Sequence, residues 1–143
     1  MRSVMKTLNN ISRSQTEFRR ARLHADVSPA YYAVILTVNS HPGFTQDAIA
    51  KEICVNKSTV ARRLDWLEDN GYVTREVGSE DRRCLFVYPT DKCKEIVDKL
   101  KVIAKEWNAV LTDGISDEEY EVFKSVLSRM EERAKSLIKE NLK

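Results

Sequence analysis

Hydrophobic residues recur at helical spacing, in steps of three and four, along most of the chain. The first such segment runs to about residue 24 and carries Val4, Leu8, Ile11 and Phe18. A second helix is predicted from about residue 28 to residue 40, where Ser28 and Pro29 supply a typical N-cap and first position. This helix is apolar on nearly every side, which indicates that several of its faces are buried.

Two short helices follow, separated by a tight turn. Thr45 can cap the first, "TQDAIAKEI", and three residues separate it from the second, "KSTVARRLDWLEDN". In the second helix Val60, Leu64 and Leu67 form an inward stripe, and Gly71 is a natural left-handed terminator. Two short helices joined in this way predict a helix-turn-helix.

A β-hairpin is predicted next, from the runs "GYVTREV" and "CLFVYPT". The connecting "VGSEDRRC" supplies turn chemistry, yet it also carries two acids followed by Arg82 and Arg83. A helix-turn-helix followed at once by such a hairpin predicts a winged helix, with the hairpin as the wing.

Two long helices end the sequence. Ile96, Leu100, Ile103 and Trp107 form the stripe of one, and Gly114 stops it. Ser116 and Glu119 form a capping box for the other. Both stripes follow the heptad rule of helices that pack on each other, and the second stripe consists of Tyr120, Phe123, Leu127, Met130, Ala134 and Leu137.

Charge changes this picture only through its distribution. The net charge is +2, and the basic excess lies in residues 1–26, which hold six basic and two acidic residues. Residues 45–83 hold seven basic and eight acidic residues, so a DNA-binding role there depends on where the arginines stand. Three cysteines without a CxxC pair, no secretory signal and no apolar span predict a cytoplasmic protein without a membrane segment.

The outer face of the second short helix is the candidate DNA-reading surface. Hydroxyl and guanidinium groups at the start of such a helix suit base edges and phosphates in the major groove. A wing arginine suits the narrow minor groove, and Asp81 is expected to brace the guanidinium of Arg83. The predicted helix residues are Lys57, Ser58, Thr59, Arg62 and Arg63.

From Val55 to Ile96 the sequence "VNKSTVARRLDWLEDNGYVTREVGSEDRRCLFVYPTDKCKEI" resembles the core of the MarR (multiple antibiotic resistance regulator) family. The matching motifs are Ser58-Thr59-Val60, the helix end Leu67 to Gly71, Arg75, Asp81-Arg82-Arg83 and Thr90. It departs from the family at "YPT", where a Leu-Thr pair is usual, and at Cys93, where glycine is frequent.

The resemblance implies a mainly α fold with a small β-hairpin wing, as one MarR-type domain over residues 1–143. It assigns residues 28–90 to the DNA-binding lobe, and residues 1–26 and 91–143 to dimerisation helices. It further implies a homodimeric repressor on a pseudo-palindromic operator of double-stranded DNA, released by a small aromatic effector that binds between the lobe and the dimer helices. The implied wing residues are Arg75, Asp81, Arg82 and Arg83; the expected dimerisation residues are Leu8, Ile11, Trp107, Tyr120, Phe123, Leu127, Met130 and Leu137.

Two alternatives belong to other functional classes. A winged helix used only for protein interaction would tolerate loss of Arg62, Arg63 and Arg83. A thiol-based redox sensor would need a reactive cysteine of low pKa among Cys54, Cys84 and Cys93. The sequence predicts no enzyme, no cofactor and no metal site, because it shows no nucleophile with a base partner, no phosphate loop and no clustered ligands.

Overall fold

A computed structural model describes residues 3–141, with side chains to residue 138. The outermost residues of the predicted domain range 1–143 therefore lie outside the described part. The helices are α1 (Val4–Arg22), α2 (Tyr32–Ser40), α3 (Gln46–Glu52), α4 (Lys57–Asp69), α5 (Asp91–Leu111) and α6 (Asp117–Asn141), and a 3₁₀ turn (Pro29–Tyr31) precedes α2. The strands are β1 (Phe44–Thr45), β2 (Val73–Val77) and β3 (Leu85–Pro89). The mainly helical fold with a hairpin wing is confirmed.

The predicted helix starts have their capping bonds. The Ser28 hydroxyl accepts from the Ala30 N–H at 3.5 Å, and the Thr45 hydroxyl accepts from the Ala48 N–H at 3.2 Å. Ser116 and Glu119 form the reciprocal capping box, with donor–acceptor distances of 2.9 and 3.2 Å. Each bond satisfies an amide that the first helical turn leaves without a partner.

The wing belongs to a three-stranded antiparallel sheet of order β1-β3-β2. Arg75 and Phe44 flank Val87 on its two sides, and Val87 is fully buried. The sequence did not predict β1, because a two-residue strand is too short to show alternation. Its pairing joins the wing to the segment that leads into α3.

The chain divides into two compact units, Met1–Trp107 and Asn108–Lys143. The first unit contains the hydrophobic core, to which α2, α3, α4, the sheet and α5 contribute Ile35, Ile49, Leu64, Val87 and Leu100. Ile96, Leu100 and Ile103 are all buried there. The first half of α5 thus contributes to the core of the first unit, although the boundary predicted at residue 91 assigns it to the dimerisation helices.

The expected dimerisation residues lie in different environments. Trp107 is half-buried against Phe18, with ring centroids 5.2 Å apart, so it already has an intramolecular partner. On α6, by contrast, Phe123 is 51 % exposed and Leu137 60 % exposed. Leu8, Tyr120 and Leu127 are half-buried, while Ile11 and Met130 are exposed. No helix in the described part of the chain is long and apolar enough to cross a membrane.

Candidate nucleic-acid interface

The outer face of α4 is fixed by burial of its inner face. Val60, Leu64 and Leu67 have no exposed surface, so the residues between them point away from the core. Asn56 caps the helix: its Oδ1 accepts from the Thr59 N–H at 2.8 Å and from the Ser58 hydroxyl at 2.9 Å. Sequence reasoning missed Asn56, although asparagine directly before a helix is a common N-cap.

The predicted α4 residues share the surface that this burial leaves. Lys57, Ser58 and Arg62 are exposed, and Thr59 and Arg63 are half-buried. Lys57 pairs with Asp47 of α3 at 2.8 Å, but both side chains are more than half exposed and the pair is screened by water. Neither Arg62 nor Arg63 has an ion pair among the side chains described, those of residues 3–138, so both guanidinium groups remain available to a ligand.

The wing tip is a tight turn shaped by Gly78 and Asp81. A Cβ on Gly78 would lie 2.7 Å from the Asp81 carbonyl oxygen, so only glycine fits without a backbone shift. The Gly78 N–H donates to the Cys84 carbonyl at 2.9 Å, and the Cys84 N–H donates to the Asp81 carbonyl at 3.1 Å. Arg82 and Arg83 project from this turn, both exposed.

The expected role of Asp81 needs correction. Its Oδ1 accepts from the backbone N–H of Arg83 at 2.9 Å, and the described structure contains no ion pair between Asp81 and the Arg83 guanidinium. Asp81 is therefore a turn-forming side chain of the Asx type. It fixes where the backbone presents Arg83 and leaves the guanidinium unpaired.

Arg75, predicted as a wing residue at the DNA, has intramolecular partners in this structure. Its side chain is only 16 % exposed. Its Nε donates to Glu68 at 2.9 Å, its Nη1 to Gln46 at 3.0 Å, and its Nη2 lies 2.8 Å from Asp65. The hydrogen bond that Arg75 donates to Glu68 raises the pKa of Arg75 above its usual value, against the opposing effect of partial burial. All three guanidinium nitrogens therefore have intramolecular partners in this structure.

We name this group the Arg75 clasp: Arg75 with Gln46, Asp65 and Glu68. Sequence reasoning found Arg75 through the family motif but missed its three partners. Gln46 is 29 residues away along the chain, and no local pattern signals a contact over that separation.

The three cysteines are dispersed over the first unit. Cys93 is fully buried and its Sγ lies 4.0 Å from the Ile35 carbonyl, whereas Cys54 is exposed in the turn before α4 with φ of 55°. Burial raises the pKa of the Cys93 thiol to about 11, which keeps it protonated and unreactive near neutral pH. Within the described residues no group of His, Cys, Asp or Glu is arranged to hold a metal ion.

Residues 27–85, which contain the helix-turn-helix and most of the wing, match the model of the MarR family. The crystal structure of MarR aligns with 96 % of this chain and 95 % of its own, at 29 % identity and a TM-score of 0.83. The chain belongs to the MarR family. The uncharacterized HTH-type transcriptional regulator YybA of Bacillus subtilis is 24 % identical over 135 residues, which cover 91 % of this chain and 87 % of YybA.

A DNA complex of this fold is also similar. A MarR-family transcriptional regulator from Listeria monocytogenes, solved with a 26mer DNA, aligns with 95 % of this chain and 91 % of its own. Its TM-score is 0.84 and its identity 16 %, so the likeness is one of fold. With the family established, the protein is a DNA-binding transcriptional regulator and not an enzyme.

The cysteine environments yield a direct test of the redox-sensor alternative. We expect the exposed Cys54 to react readily with a thiol reagent such as DTNB at pH 8. Cys93 should react only after urea unfolds the chain, because its protonated thiol is buried. The Cys93→Ser variant, titrated in parallel, identifies the protected thiol. Rapid labelling of Cys93 in the folded protein would contradict its assignment as the protected thiol and would support the redox-sensor alternative.

Proposed function

We propose that the protein is a homodimeric repressor that reads a pseudo-palindromic operator with α4 and the wing. The observation that carries the proposal is that Arg62 and Arg63 on α4, and Arg82 and Arg83 at the wing tip, have no ion pair in the described structure. These residues project from two elements of the same unit. Other arginines of that unit, such as Arg75, are engaged by carboxylates.

The two elements suit the two grooves of DNA. The first turns of α4 present hydroxyl groups and arginines, which can bond to base edges and phosphates in the major groove. The rigid turn at the wing tip offers two arginines to the minor groove, where the negative potential is strongest. Lys57 would exchange its exposed pair with Asp47 for a phosphate.

The exposed stripe of α6 supports a dimer. Phe123, Met130 and Leu137 recur at helical spacing and are all exposed in the single chain. Burial of such a stripe against a second copy would give the interface a strong apolar driving force. Two copies related by a two-fold axis then require two half-sites of DNA about one helical turn apart.

Repression, an effector and the location of the protein complete the proposal. A dimer on its operator blocks transcription by occupying the DNA, and a small aromatic effector releases it.

An open cleft of about 390 Å³ between α1 and α5 has the volume of a small-ligand site. Its walls combine apolar side chains with the Arg22–Glu106 pair and Lys99, which suits an aromatic acid. Such a regulator acts in the cytoplasm, with the DNA.

Operator binding is tested with a duplex that the wild-type chain selects from a random pool. Anisotropy titrations at several salt concentrations should show about a thousandfold preference over an unrelated duplex, with two chains per site. Arg83→Ala should weaken binding and lower the slope of log K against log salt by about one unit. Arg13→Ala, which removes the same charge from α1, should leave the slope unchanged. No preference for any sequence would favour the protein-interaction module.

The dimer is tested on α6. We expect Leu127→Asp to place a charge in the apolar stripe, separate the copies and abolish operator binding. Light scattering should give a mass near that of the 16.5 kDa chain, against about twice that value for the wild type. Ser125→Asp, on the outer side of the same helix, is the control and should remain dimeric. A Leu127→Asp variant that stays dimeric would refute this interface.

The effector cleft is tested with 4-hydroxybenzoate as the probe. At millimolar concentration it should raise the thermal unfolding midpoint and weaken operator binding, because it binds the folded chain. Val102→Trp fills the cleft and should remove both effects, whereas Lys101→Trp, outside the lining, should keep them. Equal responses of the two variants would place the site elsewhere.

A further inference from the structure

We propose that Arg75 is a positioning residue, and that the Arg75 clasp holds the wing at the angle at which its tip reaches the DNA. This inference rests on the proposed function, because it concerns how the wing contributes to binding. It replaces the expectation that Arg75 itself contacts DNA. The carboxylates of Asp65 and Glu68 then favour DNA binding by holding Arg75, although their own charge repels phosphate.

The clasp joins three elements through one side chain. Arg75 lies in the middle of β2, and its guanidinium bonds to Asp65 and Glu68 on α4 and to Gln46 at the start of α3. Lysine has a single ammonium and cannot span these acceptors, whereas the planar fork of arginine can. The strand is therefore attached to both helices of the helix-turn-helix.

The position of Arg75 along β2 makes this attachment important for the wing. Alternate residues of a strand share a face, so Val73, Arg75 and Val77 point to the same side. Val73 is buried in the core, Arg75 is mostly buried, and Val77 is 58 % exposed. Apolar packing of β2 on this face thus ends at Val73. Arg75, which lies beside the buried Val87 of β3, is the β2 side chain that bonds to the helices before the tip. Loss of the clasp leaves β2 attached through Val73 and through its pairing with β3, whose Val87 is buried and pairs with Phe44 of β1.

Simple electrostatics and the clasp predict opposite effects of removing the acids. If Asp65 and Glu68 only repel phosphates, or keep Arg75 from contacting them, their removal strengthens DNA binding. If they hold the wing in place through Arg75, their removal weakens it. The sign of the change therefore distinguishes the two explanations.

The test compares two double variants of equal charge on the selected duplex. Asp65→Ala/Glu68→Ala removes the clasp acids, and Asp69→Ala/Glu76→Ala removes two exposed acids from the same elements. We expect the clasp variant to bind about tenfold more weakly than wild type, and the control to bind at least as tightly as wild type. Clasp-variant binding as tight as that of the control would overturn the proposal.

A second comparison shows whether the effect passes through the wing tip. In the Arg82→Ala/Arg83→Ala background the clasp substitutions should lower DNA affinity by less than about twofold. The tip without its arginines no longer contacts the DNA, so moving it has little further effect. A full tenfold loss in that background would mean that the clasp acts on folding or on α4, and would overturn the positioning role. Thermal unfolding of each variant confirms that the chain is folded.

A DNA-free measurement separates the clasp from the proposed function. Amide hydrogen exchange of the segment 77–85 should be at least several-fold faster in the clasp variant than in the control. Equal rates would overturn the clasp even if operator binding is confirmed. If the wild type selects no operator, the proposed function fails, and exchange rates alone then decide whether the clasp holds the wing.

Discussion

Burial of one stripe of α4 is the constraint on which the rest of this surface depends. Val60, Leu64 and Leu67 are fully enclosed by the core of the first unit, and a helix held by three such residues cannot rotate. Its outer face is thereby determined, and with it the direction of Arg62 and Arg63. The Asn56 cap fixes where the helix begins, so the fold sets both the rotation and the start of α4, the helix proposed to read DNA.

Carboxylates near the proposed DNA-facing surface form specific bonds that a count of formal charges does not reveal. Residues 45–83 carry slightly more acid than base, which is unusual for a phosphate-binding surface. Asp81 bonds to the backbone of Arg83, and Asp65 and Glu68 engage Arg75. These acids bond within the wing turn or to a strand of the wing, while the arginines that project from α4 and from the tip have no ion pair in the described structure. The placement of the charges therefore accounts better for a DNA-binding role of this region than its net charge does.

The sequence predicted the elements well and their long-range contacts poorly. Helix starts at Ser28, Thr45 and Ser116 follow local capping rules, and the hairpin follows from strand propensity and turn chemistry, so each is visible within a few residues. The partners of Arg75 come from two other elements and become neighbours only when the core forms. The Asp81 error has the same origin: a carboxylate two residues from an arginine can bond to its backbone or its side chain, and only the turn geometry decides.

The two long helices show the same limit for apolar stripes. The heptad pattern is equally clear in α5 and α6, yet Leu100 is core of the first unit and Phe123 is half exposed in the second. A stripe at helical spacing shows that a helix has an apolar face, but its period contains no information on what covers that face. The α5 stripe is buried by the core of the first unit. For α6 the exposed face is apolar and periodic over its length, which is why a second copy with the same pattern is the cover we propose.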